Sequence, residues 1–378
     1  MHRLSHASPG SCTRAPGRAA LGLALLVTLA GCGSGEAAAL EAIGAVQGTA
    51  AHSPREGARV RVEGVVTQRI DDGVFLQSLV SDADPATAEG LFVMPAAGQP
   101  GLEIGQRVVA EGRVAESGDG AVLTTLVDAT VDLRGTASLP EPIALDAPPI
   151  SWEALEGMRV RIEAPLSVSG NASLQHFGEI DLAFGGRVFV PTERVLPGEA
   201  AIALARDNQR RRIVLDDASA RQSPGAVAWL GVPLSSATPL RAGSTFHGVQ
   251  GVVDQRRGAY RLQADAPVAR IDQAPRPSPQ QIAGNLRIAG MNLLNLFNGN
   301  GQGGGFPTER GAKNYEGYAR QLAKHVATVT ALDPAIIAAQ ELENDGYGPE
   351  SAAQELADAL NIAQDGAHWT VVAPAGRP

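Results

Sequence analysis

Two polar side chains stand where this chain could do chemistry: Asn292 in "LRIAGMNLLNLF" (286–297) and Glu341 in "DPAIIAAQELENDG" (333–346). In each stretch a short apolar run, the mark of a buried strand, ends in polar residues. One helical pattern lies between them, so the unit reads strand–helix–strand. Such a crossover makes the strands parallel and commonly neighbours. Asn292 and Glu341 then meet at the carboxyl edge of the sheet, where open α/β sheets keep their sites. A carboxylate beside an amide oxygen is hard-oxygen chemistry. It suits Mg2+ or Mn2+ with several waters retained and a phosphate as a further ligand. From spacing alone a second reading stands beside it, a solvated strand-end acid and an amide that caps a turn.

The intervening loop "NGNGQGGGFPTERG" formally satisfies G-x-G-x-x-G with Gly299, Gly301 and Gly304. A dinucleotide site needs its helix to begin at the third glycine. Here Pro307 to Lys313 intervene, and no Gly-Lys-Ser/Thr follows. The loop is therefore expected as a mobile surface loop beside the site and not as a nucleotide cradle.

The elements that must position these residues follow from periodicity. The spacing predicts a strand over 285–297 and a helix over about 315–332 with Tyr318, Leu322, Val326, Val329 and Leu332 on its apolar face. Asp333-Pro334 ends that helix. A second helix is predicted over about 351–361, opened by Ser351 and Gln354 at capping-box spacing, and "HWTVV" (368–372) reads as a third strand.

Upstream the grammar is different. Gly 44 and Pro 25 with few aromatics suit strands and turns. "EGARVRVEGVV" (56–66) and "EGMRVRIEAPL" (156–166) agree, identically or conservatively, at seven of their first eight positions. Both alternate charged and β-branched residues, as a half-buried strand does. Echoes occur at "IGQRVVAEGRV" (104–114) and "RAGSTFHGVQGVV" (241–253). The expectation is two β modules, 53–138 and 150–273, coiled as small barrels. A Pro-rich linker at 274–284 separates them from an α/β region at 285–378.

Charge narrows the partners. The formal net charge is −9, and −12 without the leader's Arg3, Arg14 and Arg18, so a generally basic nucleic-acid surface is excluded. Local clusters remain in "NQRRRIVL" (208–215) and "DQRRGAYR" (254–261). Arg210, Arg211, Arg212, Arg256 and Arg257 are candidate nucleic-acid contacts; the alternative is a solvated strand edge blunted by charge.

The first 31 residues read as a leader. Arg14 and Arg18 precede "AALGLALLVTLAG", an apolar run too short and wrongly flanked for a membrane anchor. "LAGC" (29–32) resembles the bacterial lipobox, which implies cleavage before Cys32, lipidation of Cys32 and secretion to the outer membrane or cell surface. Residues 32–52 then tether the body. Cys12 would leave with the leader, which excludes thiol catalysis, zinc–thiolate sites and disulfides. The membrane is a partner only through that lipid, and no protein partner is expected.

"LRIAGMNLLNLF" and "LDPAIIAAQELENDG" resemble the first two strands of the endonuclease/exonuclease/phosphatase superfamily, the DNase I-like fold. "LLNLFN", the glycine-rich insertion and "QELENDG" are most similar to the branch of secreted bacterial nucleases of the ExeM/NucH type. Upstream, "VEGVVTQ", "GVFLQS" and "DADPATAEGLFVM" resemble their OB-type module, and "GEIDLAFGGRVFVPT" with "NQRRRIVLDDAS" their middle segment. The resemblance covers nearly the whole mature chain. It implies a multidomain fold of β-rich OB-type barrel modules followed by the start of a DNase I-like α/β sandwich.

By that resemblance Glu341 binds the metal, Mg2+ or Mn2+, and Asn292 helps hold metal or phosphate, with Asn295 a weaker substitute. Glu343, Asn344 and Asp345 match the branch without an assigned role. The sequence departs at "GMN", where Ser or Thr and an aromatic commonly precede the Asn. The resemblance also implies a phosphate-contacting His, an Asp-x-Asn pair and a late Asp-His pair; His325 and His368 match none of these. The expectation is thus a fragment, inactive by itself, of an enzyme hydrolysing extracellular DNA, with RNA also open. Three rivals remain: a non-catalytic surface lipoprotein binding nucleic acid through OB-type modules, a phosphoesterase of the same fold with another substrate, and a structural lipoprotein. The OB-type role needs aromatics, and the first module offers mainly Phe75 and Phe92, whose other reading is core.

Overall fold

The computed structural model describes residues 39–117, 122–235, 239–365 and 368–373. Compact units comprise residues 1–273 and 274–378.

In the first unit, Leu40–Glu41 (β1) and Ile43–Gln47 (α1) precede Arg59–Ile70 (β2) and Gly73–Gln77 (β3). Gly90–Pro95 (β4), Gln106–Ser117 (β5) and Leu123–Thr136 (β6) follow. The strand order is β1-β2-β3-β4-β6-β5, and β2 also pairs with β5, so five strands close on themselves. All neighbours in that ring are antiparallel except β4 and β6. Val60 and Val62 point into its core while Arg59 stays outside, the predicted period of two. The tether expected over 32–52 is shorter than that: β1 pairs with β2, and Ile43 and Val46 are buried in the ring's core. The apolar spacing of Ile43 and Val46 is helical, and burying them holds that stretch to the barrel.

The second β region begins with Ile143–Leu145 (β7), Arg159–Ile162 (β8), Leu166–Gly170 (β9), Leu174–Phe177 (α2) and Ile180–Phe184 (β10). It continues with Glu199–Arg211 (α3), Arg212–Asp216 (β11), Thr245–His247 (β12), Val249–Asp254 (β13), Arg261–Ala264 (β14) and Arg270–Asp272 (β15). Its order is β15-β12-β9-β10-β11-β14-β13-β8-β7. The repeat in sequence is a repeat in pairing. Val60 stands opposite Gly112 on β5, and Val160 opposite Gly251 on β13. Both glycines are where backbones approach too closely for a side chain: a Cβ would lie 2.7 Å from the Val127 carbonyl in one and 2.5 Å from the Gln263 carbonyl in the other. The single strand β2 corresponds to β8 and β9 together, interrupted at Pro165, which has no N–H to give a ladder. Parallel pairing is again the exception: β11 with β14 and β7 with β8 are the parallel pairs of this sheet.

The two β regions share a dry contact. Phe75, Phe92, Leu123 and Val252 are buried together. Gly90 and Gly157 meet backbone to backbone, so a Cβ on Gly90 would sit 2.1 Å from Gly157.

In the second unit, Ile288–Leu296 (β16), Tyr315–Leu332 (α4), Ile336–Leu342 (β17) and Ala352–Ala363 (α5) appear in the predicted order. The strands are parallel neighbours. Asn314 caps α4 by accepting from the Gly317 N–H, and Ser351 caps α5 by accepting from Gln354 N–H. The side chain of Gln354 does not reach back; it donates to Asp358. Leu293, Leu296, Tyr318, Val329, Leu356 and Leu360 form the core. The third strand expected over 368–372 is absent: residues 368–372 are irregular. Trp369 is held instead by Asn361, whose side chain accepts from its N–H and donates to its carbonyl. Those backbone groups are spent on a side chain, which takes the place of a ladder.

Candidate functional site

Both predicted residues lie at the carboxyl edge of β16 and β17. Asn292 is the Cα partner of Gln340, so Glu341 lies one residue past the level of Asn292. The next pair is Leu296 with Leu342, so the register slips between them. The slip has a backbone cause on both strands. Leu294 and Asn295 have φ of 53° and 51°, and Glu341 has φ of 55°. Side chains other than glycine pay about 1–2 kcal/mol for that left-handed conformation, and such residues cluster at functional sites.

The consequence is positional. Ala289 pairs with Ile337 and Met291 with Ala339, so strict alternation would place Glu341 on the helix-covered side with Ile337. The left-handed residue breaks the alternation, and Glu341 is exposed. Among the described residues its carboxylate has no hydrogen bond and no ion pair. Asn292 is exposed as well, and its Oδ1 accepts from the Leu294 N–H at 2.8 Å. That turn holds the amide in place and leaves its oxygen a further lone pair. The alternative reading of Asn292 as a turn-capping amide and the reading of it as a ligand are thus compatible. Asn295 lies on the same slip, half-buried.

The acids beyond Glu341 acquire structural roles that the sequence did not give them. Glu343 accepts the Asn298 N–H at 2.7 Å, and Asp345 accepts the Ala352 N–H at 2.9 Å at the start of α5. Asn298, which sequence reasoning passed over, is buried and donates to the Glu350 carbonyl and to Glu355, both at 2.9 Å. Gln302 also reaches Glu350, and a Cβ on Gly301 would be 2.1 Å from the Glu350 carbonyl. The glycine loop, expected as a mobile surface loop, is thus stitched to the segment that carries the acids. Burial, and then the Glu355 carboxylate, push the Tyr318 hydroxyl above its ordinary value, so it stays protonated. His325 gives its ring nitrogen to the Leu293 carbonyl at 3.0 Å, a positioning contact, and His368 is exposed.

One carboxylate and one amide are a partial ligand set. Among the described residues no three His, Cys, Asp or Glu side chains gather as a metal cluster. The pair fits a hard ion that keeps its water and takes a phosphate oxygen, because the Glu341 carboxylate is uncommitted and both donors are solvent-accessible.

The arginine candidates are placed differently. "NQRRRIVL" is not one strand edge: Arg210 and Arg211 end α3, and Arg212 begins β11. Arg210 and Arg211 pair with Asp207, and Arg212 with Asp181. Arg256 pairs with Asp254 and Asp72, and Arg257 with Glu179. Each guanidinium therefore already has a carboxylate. Phe75 and Phe92 stack on each other at 4.9 Å in the buried contact between the β regions; they are core. Cys32 and the leader at 1–31 lie outside the described residues, and no described helix is long and apolar enough to cross a membrane.

A family model described as "Domain of unknown function (DUF8508)" matches residues 121–273, less than half of the chain, from β6 to the end of the second β region. No curated protein matches the chain.

Proposed function

We propose that the chain serves metal-dependent hydrolysis of phosphodiester bonds in extracellular nucleic acid, DNA foremost, as part of a surface nuclease anchored through Cys32. The observation that carries this is the paired left-handed break at the carboxyl ends of β16 and β17, which turns the unpartnered Glu341 out beside Asn292. Backbone strain on both strands at one level, with no described residue bonding that carboxylate, is what a ligand position looks like. Glu341 and Asn292 would hold Mg2+ or Mn2+, which in such sites neutralises charge on a phosphoryl oxygen. Asn292 orients through its turn to Leu294, and the stitched glycine loop stiffens the edge behind both.

The upstream β regions support the reading by their topology. A five-stranded closed ring with one parallel pair suits the OB type, a fold that binds oligonucleotides. One such ring and a second β region before an α/β unit suit an enzyme that must hold a polymer while a separate site cuts it.

The test is cleavage of DNA by the full gene product with Mg2+ or Mn2+. Glu341→Ala is expected to lower the rate about 100-fold, the loss of roughly 3 kcal/mol of charge stabilisation. Because Glu341 is exposed and unpaired, the thermal midpoint should hold. Undiminished cleavage by a folded Glu341→Ala protein removes the metal assignment. Cleavage of a sugar or lipid phosphate in preference to DNA moves the substrate but keeps the site.

A further inference from the structure

A cationic surface that the sequence pattern did not single out lies in the first unit, on the loop 186–197 between β10 and α3. Phe189 is half-buried there, with the guanidinium of Arg194 3.5 Å from its ring centroid and that of Arg187 4.6 Å away. Planar cations over an aromatic face attract it electrostatically. Both arginines are exposed, and among the described residues neither pairs with a carboxylate. Arg206 on α3 is exposed and likewise without an acid. The contrast with Arg210, Arg211, Arg212, Arg256 and Arg257 is chemical. Those five each have a carboxylate partner, and these three have none among the described residues.

The loop is fixed on either side of the ring. The Val188 N–H donates to Ser169 Oγ at 3.1 Å, and Asn208 Nδ2 donates to the Phe189 carbonyl at 2.8 Å. Beside it runs a groove of about 580 Å³ lined by Phe189, Ser169, Asn208, Gln209, Arg212 and Tyr260, among others. That is room for a nucleotide. Gln209 is exposed and can both donate and accept toward a base edge.

We propose that this groove binds single-stranded nucleic acid, with phosphates on Arg187 and Arg194 and a base stacked on the Phe189–arginine platform. Aromatic and guanidinium planes hold splayed bases whatever their sequence, and open guanidiniums follow the backbone. A duplex keeps its bases stacked and out of reach of such a groove. The proposal deepens the nucleic-acid reading above and rests on it. The exposed Val190 and Leu196 on the same loop make an anionic membrane the rival surface. The polar side chains of Asn208, Gln209 and Tyr260 in the groove have no use in that case, and they favour nucleic acid.

The experiment measures binding of a labelled oligothymidylate of about 10 nucleotides by the full chain at low and raised salt. R187A/R194A is expected to weaken binding at least tenfold at low salt and to flatten the log–log salt slope by about 1.4, or about 0.7 for each phosphate that is no longer neutralised. Phe189→Leu keeps the apolar packing, so it should fold, weaken binding about fivefold and leave the salt slope alone. Arg256→Ala, already paired in the native fold, should not flatten the slope. Unchanged affinity and slope in a folded R187A/R194A protein overturns the proposal. So does binding of phosphatidylglycerol vesicles, and not of the oligonucleotide, through the same two arginines. If Glu341→Ala abolishes cleavage while R187A/R194A leaves oligonucleotide affinity unchanged, the groove falls and the nuclease stands. If R187A/R194A abolishes oligonucleotide binding and the full gene product cleaves nothing with Mg2+ or Mn2+, the groove stands and the nuclease falls.

Discussion

The two copies of the repeated stretch, residues 56–63 and 156–163, share a backbone and differ in fate. Gly57 N–H donates to the Val114 carbonyl and Gly157 N–H to the Val253 carbonyl, at 2.9 and 2.8 Å. Val60 and Val160 are both fully buried, as are Val62 and Ile162. Around that shared frame the polar positions diverge. Glu56 and Gly57 are exposed, whereas Glu156 is fully buried and Gly157 is wedged against Gly90. Arg59 pairs with Glu111 on the surface, whereas Arg159 meets the half-buried Asp265, whose side chain is only 6% exposed, at 2.8 Å. The first copy faces water and the second faces the other β region. A period-2 pattern fixes which side chains face the core, but the outward positions take their role from whatever packs against them.

Matched substitutions test that difference. The largest effect is expected at the arginines. Arg159→Ala leaves Asp265 buried without its cation and should cost about 3–5 kcal/mol, whereas Arg59→Ala should cost about 0–1 kcal/mol. Denaturant titration of the two variants reads both; equal losses would mean that the burial of the second copy has no energetic weight. Next come the glycines. Gly157→Ala adds a Cβ 2.6 Å from the Gly90 backbone at φ of 69°, and Gly57→Ala adds one in open space at φ of 79°. The first should cost about 3 kcal/mol, the left-handed strain plus a forced backbone shift, and the second about 1 kcal/mol.

The smallest effect is on pH. Burial, then the neighbouring Glu153, hold the Glu156 carboxyl well above the ordinary value of 4.5, against hydrogen bonds from Gln47 and the Thr124 N–H. A raised acid binds its proton more tightly folded than unfolded. Its stabilising contribution is present below the ordinary value and is lost as pH rises through the raised one. Asp217, pushed up to about 6 by burial and by Asp216, acts in the same direction. Stability should therefore fall as pH rises from about 4 toward neutrality through these groups. Glu156→Gln should flatten that fall when melting is followed across the range, with Glu56→Gln as the matched control. An unchanged profile in Glu156→Gln would assign the pH dependence to other groups.

Much of the site was legible because its signals are local. The helix over 315–332, the start of α5 at Ser351 and the parallel pairing of β16 with β17 follow from periodicity, caps and a single crossover. The strand expected at 368–372 failed because Asn361, several residues back, satisfies Trp369 instead. Sequence pattern could not say which arginines have a carboxylate partner. A basic run draws the eye to 210–212 and 256–257; Asp207 and Asp254 pair locally with Arg210, Arg211 and Arg256, whereas Arg212 and Arg257 find Asp181 and Glu179 far along the chain. Arg187 and Arg194 flank a phenylalanine without forming a run, and that spacing was the available signal.

The sequence alone determined that β16, α4, β17 and α5 follow one another, which of their faces are apolar, and that Asn292 and Glu341 share an edge. Those are consequences of period, caps and connection length, all properties of neighbouring residues. Tertiary structure alone decided which charges are spent. Asp265 lies 106 residues from Arg159, and only folding brings such partners within hydrogen-bond reach, so burial and pairing cannot be read from local pattern. The same holds for the left-handed backbone at Glu341, which goes with the slip between two strands and with no residue preference, and which leaves one carboxylate unpaired among the described residues.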